Sequence, residues 1–210
     1  MVELDAVTDA LVVIDLQNDF CPGGALAVAE GDIVVPVINA VALRFANIAV
    51  TQDWHPPGHI SFASTHGKAP FETIELPYGP QVMWPDHCIQ GSFGAELHPG
   101  LELLGAQAIV RKGFHPDVDS YSGLVEADRT TKTGLGGYLR ERGITRIFLA
   151  GLATDFCVAW TALDARAAGF DVVLVEDACR AIDLGGSLAK AMADMADAGV
   201  VTLASSALLG

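Results

Sequence analysis

Apolar residues in this chain fall into short unbroken runs, rich in β-branched side chains, that alternate with stretches of helical spacing. Ala10-Leu11-Val12-Val13-Ile14, Ile48-Ala49-Val50, Ala108-Ile109-Val110, Arg146 to Gly151, Val172-Val173-Leu174-Val175 and Val200-Val201-Thr202-Leu203 have the length and branching of buried strands. Between them, Ile33, Val34, Val37, Ile38 and Val41 recur at helical spacing within residues 32–45. Residues 133–142, 155–168 and 186–198 read as further helices, the first two stopped by Gly143 and Gly169. Continuous apolar strands alternating with helices predict an α/β fold, a doubly wound, mostly parallel sheet with helices on both faces. Residues 1–210 are expected to form one domain, since no repeat or low-complexity linker divides them.

One stretch breaks the rhythm. Residues 53–107 hold most of the prolines, all but one of the six histidines, and Trp54 and Trp84. They predict a loop-rich insertion between the second and third strands, and long loops in compact domains commonly carry function.

Charge then removes whole classes of partner. Twelve basic residues against 26 acidic ones give a net charge of −14. That balance argues against a nucleic-acid partner and against docking on an anionic membrane. Apolar runs such as Ile147 to Ala153 fall short of the roughly 20 residues a bilayer requires. The start, Met1-Val2-Glu3-Leu4-Asp5, lacks the basic segment of a secretory leader, so a cytoplasmic location is expected. Cys21, Cys88, Cys157 and Cys179 are widely spaced with no C-x-x-C pair, as expected of free thiols in a reducing compartment. A homo-oligomer stays open.

Ligands of open α/β sheets bind at the carboxyl ends of the strands. Here those ends carry Asp15, Asp53, Lys112 and, after the fourth strand, Cys157. Cys157 is the candidate nucleophile. If Thr154 or Asp155 caps the following helix, Cys157 sits in its first turn, where the helix dipole favours a thiolate and Lys112 lowers its pKa further. Asp15 then takes the thiol proton and returns it to a leaving group. The plainer reading, a small buried residue on an Ala-rich helix, gives way because Asp15 and Lys112 share the same edge. In Asp53-Trp54-His55, residues i and i+2 of an extended segment face one side, and Pro56 and Pro57 exclude a helix. The pair can hold a metal with a further ligand from His59 or His87, and such a nitrogen and oxygen set suits Zn²⁺, Fe²⁺ or Mn²⁺. Cys21, Cys88 and Cys179 read as structural, and His66, His98 and His115 as loop residues.

Six stretches in this order resemble one family. They are Val13-Ile14-Asp15-Leu16-Gln17-Asn18-Asp19-Phe20, Thr51-Gln52-Asp53-Trp54-His55-Pro56, Trp84-Pro85-Asp86-His87-Cys88, Lys112-Gly113, Asp119-Ser120-Tyr121-Ser122-Gly123 and Gly151-Leu152-Ala153-Thr154-Asp155-Phe156-Cys157-Val158. Together they resemble the isochorismatase-like cysteine hydrolases and, within them, the nicotinamidases, also called pyrazinamidases. The resemblance implies a triad of Asp15, Lys112 and Cys157, and metal ligands at Asp53, His55 and His87, with His59 open as another. It implies a cis peptide between Leu152 and Ala153, with the N–H groups of Ala153 and Cys157 as an oxyanion hole. Phe20, Trp84 and Tyr121 then form aromatic walls for a pyridine ring, while Phe156 stands where the family varies. The implied reaction is hydrolysis of nicotinamide to nicotinate and ammonia through a cysteine thioester, with pyrazinamide as a surrogate and a role in NAD salvage. A related amidohydrolase acting on another small amide is the alternative. The implied cofactor is one divalent ion, Zn²⁺ first and Fe²⁺ or Mn²⁺ next.

Overall fold

In the computed structural model, which describes residues 2–102 and 105–210, the apolar runs pair into one parallel sheet. Met1, and Leu103 and Leu104 near the end of the expected insertion, lie outside the described residues. In chain order the elements are β1 (Asp9–Ile14), α1 (Val34–Ala42), β2 (Ile48–Asp53), α2 (Ala63–His66), β3 (Thr73–Leu76), β4 (Gly79–Val82), β5 (Ala108–Lys112), α3 (Leu135–Glu141), β6 (Arg146–Leu152), α4 (Ala159–Ala167), β7 (Asp171–Arg180), α5 (Ser187–Asp197), β8 (Val201–Leu203) and α6 (Ser206–Leu209). The sheet runs β5-β2-β1-β6-β7-β8 with every pairing parallel.

Alternation along β1 divides the core. Leu11 and Val13 pack with Ile38 and Val41 of α1 on one face, and Val12 and Ile14 pack with Leu135, Ala162 and Met195 of α3, α4 and α5 on the other. Strand order reverses between β1 and β6, the switch point at which doubly wound sheets open a crevice. Register sets the chemistry there: Asp53 faces Lys112 across β2 and β5, and Ile14 faces Gly151 across β1 and β6. Gly151 has φ +126°, and a Cβ on it would lie 2.1 Å from the Ile14 carbonyl oxygen, so no other residue fits so close a strand contact.

Several expected bounds move. The strand expected to end at Val110 continues to Lys112, and the helix expected over 32–45 is α1 preceded by a short 3-10 turn at Gly31–Ile33. The helix expected over 155–168 divides into a wide π-type turn, Thr154–Val158, followed by α4. β7 runs on to Arg180 through a register shift beyond Leu149 of β6. Inside the insertion, expected to be loop-rich, β3 and β4 form an antiparallel hairpin. Among the described residues, no helix is long and apolar enough to cross a membrane.

Candidate active site

A fully buried lysine organises the switch point. Lys112, at the end of β5, has no exposed surface. Its Nζ lies 2.8 Å from Asp15 Oδ2, donates to Asp53 Oδ1 and to the Ser120 carbonyl at 2.7 Å, and lies 3.5 Å from Cys157 Sγ. Burial opposes its charge, but Asp15 and Asp53 outweigh that and hold its pKa well above the usual lysine range. The three residues expected to act together therefore meet around one ammonium.

Asp15 stands just past β1 with φ +44°, and the Thr51 hydroxyl locks it there by accepting its N–H at 3.2 Å and donating to Oδ1 at 2.7 Å. Its Oδ2 sits close to Lys112 but off the line of a hydrogen bond, so it retains a buried lone pair. Burial raises the Asp15 pKa, with Lys112 pulling it back. One ligand atom each of Asp15, Asp53 and Cys157 lies within 4.8 Å of the others. A carboxylate of raised basicity beside a thiol can take and return one proton.

The setting of Cys157 differs from expectation. Neither Thr154 nor Asp155 caps the following helix. Asp155 is drawn away, accepting from the N–H groups of Ile182 and Asp183 at 3.0 and 2.8 Å and from the Ser187 hydroxyl. Cys157 thus sits in the wide turn before α4, its carbonyl taking the Thr161 hydroxyl at 2.6 Å. Burial pushes its thiol well above the usual range against the pull of Lys112. The thiol keeps its proton until a neighbouring base removes it. The Leu152–Ala153 peptide is cis, and the Ala153 N–H makes no hydrogen bond among the described residues.

The other side of Lys112 is a donor cluster. Asp53 ends β2, where Gln17 grips its backbone twice, accepting its N–H at 2.8 Å and donating to its carbonyl at 2.8 Å. His55 Nδ1 donates to the Gly113 carbonyl at 2.8 Å and His87 Nδ1 to the Pro85 carbonyl at 2.7 Å. Both rings thereby turn an Nε2 lone pair toward Asp53 Oδ2, at 3.5 and 3.9 Å. Burial, then the nearby His55, pushes His87 down to about 4, so it stays neutral. Burial opposes the Asp53 charge as well, yet the Lys112 ammonium outweighs it and holds the carboxyl well below the usual range. Two imidazole lone pairs and a carboxylate oxygen, all buried, make a set that a divalent cation fits. His59 does not join them: Nε2 lies 3.0 and 3.1 Å from the His115 and Val118 carbonyls, which can only accept, and Nδ1 takes the Ser61 hydroxyl at 2.8 Å.

Between the two groups lies a narrow cleft of about 20 Å³. Phe20, Trp84 and Tyr121 line it, as do Ala153, Cys157, Asp53, His55 and His87. The Tyr121 hydroxyl accepts from Trp84 Nε1 at 2.9 Å and from Gln81 Nε2 at 2.8 Å. Phe156, next to Cys157, packs edge-on against Trp84 at 4.9 Å, and Leu26 and Ile182 complete the walls. Sequence reasoning assigned no role to Gln17, Leu26 or Ile182. Only Gln17, within the Val13–Phe20 stretch, offered a signal.

Comparison with known proteins places this geometry. The isochorismatase domain matches residues 9–207. A curated nicotinamidase of Acinetobacter baylyi is 58% identical over 95% of this chain and 94% of its own. The structure of a nicotinamidase and pyrazinamidase of Acinetobacter baumannii superposes with a TM-score of 0.96 at 59% identity, covering 97% of this chain and 99% of that one. A pyrazinamidase of Pyrococcus horikoshii in complex with zinc gives a TM-score of 0.77 at 35% identity, over 93% and 98% of the two chains. With similarity running from the first strand into the last helix, the chain belongs to the isochorismatase domain family.

Proposed function

We propose that the protein is a metal-containing amidohydrolase that converts nicotinamide and water to nicotinate and ammonia, and deamidates pyrazinamide likewise. The observation that carries this reading is the single buried ammonium of Lys112 joining Asp15 and Cys157 to Asp53 of the donor cluster, beside one narrow cleft lined by aromatic rings. The identity to curated nicotinamidases supports the choice of amide.

Asp15, through its free Oδ2, takes the Cys157 proton as sulfur attacks the carboxamide carbon. The N–H groups of Ala153 and Cys157, both at the cleft, receive the developing oxyanion. Asp15 returns the proton to the departing nitrogen, the C–N bond breaks, and a thioester on Cys157 and ammonia result. Asp15 then removes a proton from water, whose oxygen adds to the carbonyl. The C–S bond breaks and the proton goes back to sulfur. Lys112 keeps Asp15 close to the reaction and balances charge throughout. Phe20, Trp84 and Tyr121 hold the ring flat. Asp53, His55 and His87 would hold the divalent ion, Zn²⁺ by preference for this donor set and Fe²⁺ or Mn²⁺ otherwise. Bound there, it would supply a fixed positive charge for a ring nitrogen. The chain acts as one domain, in the cytoplasm and in NAD salvage; the four free cysteines fit a reducing compartment.

The test compares kcat/KM for nicotinamide and for benzamide, which lacks the ring nitrogen, with and without bound metal. Chelation should suppress nicotinamide turnover far more than benzamide turnover. Equal proportional losses would point to metal-activated water instead.

A further inference from the structure

Beside a different set of side chains from the catalytic cleft, residues 124–140 and the end of α4 line an open surface cavity of about 510 Å³, with Lys132 and Arg140 exposed at its rim. Three of the chain's 12 basic residues, Arg129, Lys132 and Arg140, line it, although the net charge is −14. The one acid on its wall, Asp164, is already taken by Arg129 through both terminal nitrogens, one at 3.2 Å. Arg140 donates one N–H to the Ala168 carbonyl at 3.1 Å. Among the described residues neither Arg140 nor Lys132 has a carboxylate partner. Two cationic heads therefore border a cavity with no anion of the chain to meet them.

The cavity wall adds a second observation. α3 has only seven residues, yet Gly136 and Gly137 stand in it side by side, although both are poorer helix formers than alanine. Their backbone does not require glycine, since neither has the positive φ seen at Gly134. Packing does not require it either. A Cβ on Gly137 would meet nothing within 4 Å, and one on Gly136 nothing closer than the Arg140 guanidinium at 3.6 Å. Bare backbone at a cavity wall lets something outside the chain approach the helix closely.

We propose that this cavity binds a small organic phosphate, the phosphate held between Lys132 and Arg140 and the carbon skeleton lying on Leu124, Val125 and the Gly136-Gly137 surface. Charge-assisted hydrogen bonds from an ammonium and a guanidinium suit a phosphate. The volume lies within the range of small-molecule sites, and the apolar wall gives the carbon part a surface to bury.

Isothermal titration of the metal-loaded enzyme with adenosine monophosphate at low ionic strength tests this, with inorganic phosphate and adenosine as parallel arms. The nucleotide should bind, inorganic phosphate should bind more weakly, adenosine should give no heat, and added salt should weaken both anions. Lys132→Glu and Arg140→Glu should each weaken the nucleotide at least about tenfold, the loss of one charge-assisted contact. Gly137→Leu should abolish binding while raising Tm by about 2–4 °C, because it fills the site and improves the helix. Nicotinamide turnover should stay at the wild-type rate in all three variants, which also reports that they fold. Equal binding of adenosine and its monophosphate would overturn the proposal, as would charge reversals that leave affinity unchanged, or no binding of either anion at millimolar concentration.

Discussion

Replacing Lys112 by methionine keeps much of the side-chain volume and removes the charge on which the site is built. Lys112 and Asp15 are wholly buried and Asp53 is 3% exposed, so the variant would face two carboxylates across an apolar gap. Removing one partner of a buried ion pair costs about 3–5 kcal/mol, the same order as two unit charges about 4 Å apart at an effective dielectric near 20. For a chain of this size that corresponds to a fall in Tm of about 6–20 °C. The variant can relieve the repulsion by protonating Asp15, whose pKa burial already raises. Its native state would then bind more protons than its unfolded state, so its stability falls as pH rises above the ordinary carboxylate range. The deficit relative to wild type should therefore be small near pH 5 and full near pH 8. Urea unfolding of wild type, Lys112→Met, Asp15→Asn and the double variant at both pH values measures it. The double variant should recover much of the loss, since it removes one of the two opposed charges. A Lys112→Met enzyme as stable as wild type at pH 8, or a double variant worse than the two single losses combined, would refute the reasoning. Turnover should fall at least about a hundredfold in Lys112→Met.

Two further outcomes follow from single observations. Glu126 is fully buried with both carboxylate oxygens unpartnered, and burial, then Asp128 and Asp119, pushes its pKa up from 4.5 to about 7. Folding takes up a proton there, so stability declines as pH rises through that window, by at most about 3 kcal/mol; Glu126→Gln should flatten the decline, and parallel unfolding-versus-pH curves would contradict it. Gly113 has φ +64° and its carbonyl orients His55, while a Cβ on it would lie 2.4 Å from His55 Cε1. Gly113→Ala should weaken metal affinity about 10–100-fold, measured by competition with a chelator, and unchanged metal retention would show that His55 is not oriented from this position.

The parts legible in the sequence are those governed by local pattern. β1, β2, β6 and β7 follow from runs of branched residues that only a sheet covered on both faces can bury. The convergence of Asp15, Asp53, Lys112 and Cys157 follows because a parallel sheet puts all its strand ends on one edge. What the sequence withheld depends on distant partners. Asp155 resembles a helix cap, but it satisfies the backbone at Ile182 and Asp183, and this leaves Cys157 in a wide turn. His59 resembles a ligand until the carbonyls of His115 and Val118 fix its proton. Leu26 and Ile182 reach the cleft from loops whose course no periodicity encodes. The β3–β4 hairpin is short: β3 alternates over only four residues, and β4 carries Gly79 and Pro80, which argue against a strand.

The central claim is that Cys157 carries the acyl group. Acid quenching during steady turnover of nicotinamide, followed by proteolysis and mass spectrometry, tests it most directly. The account predicts one nicotinoyl group, attached as a thioester to the peptide containing Cys157, absent from Cys157→Ala, and enriched when Asp15→Asn slows its hydrolysis. A nicotinoyl group on any other residue, or undiminished ammonia release from Cys157→Ala, would contradict it.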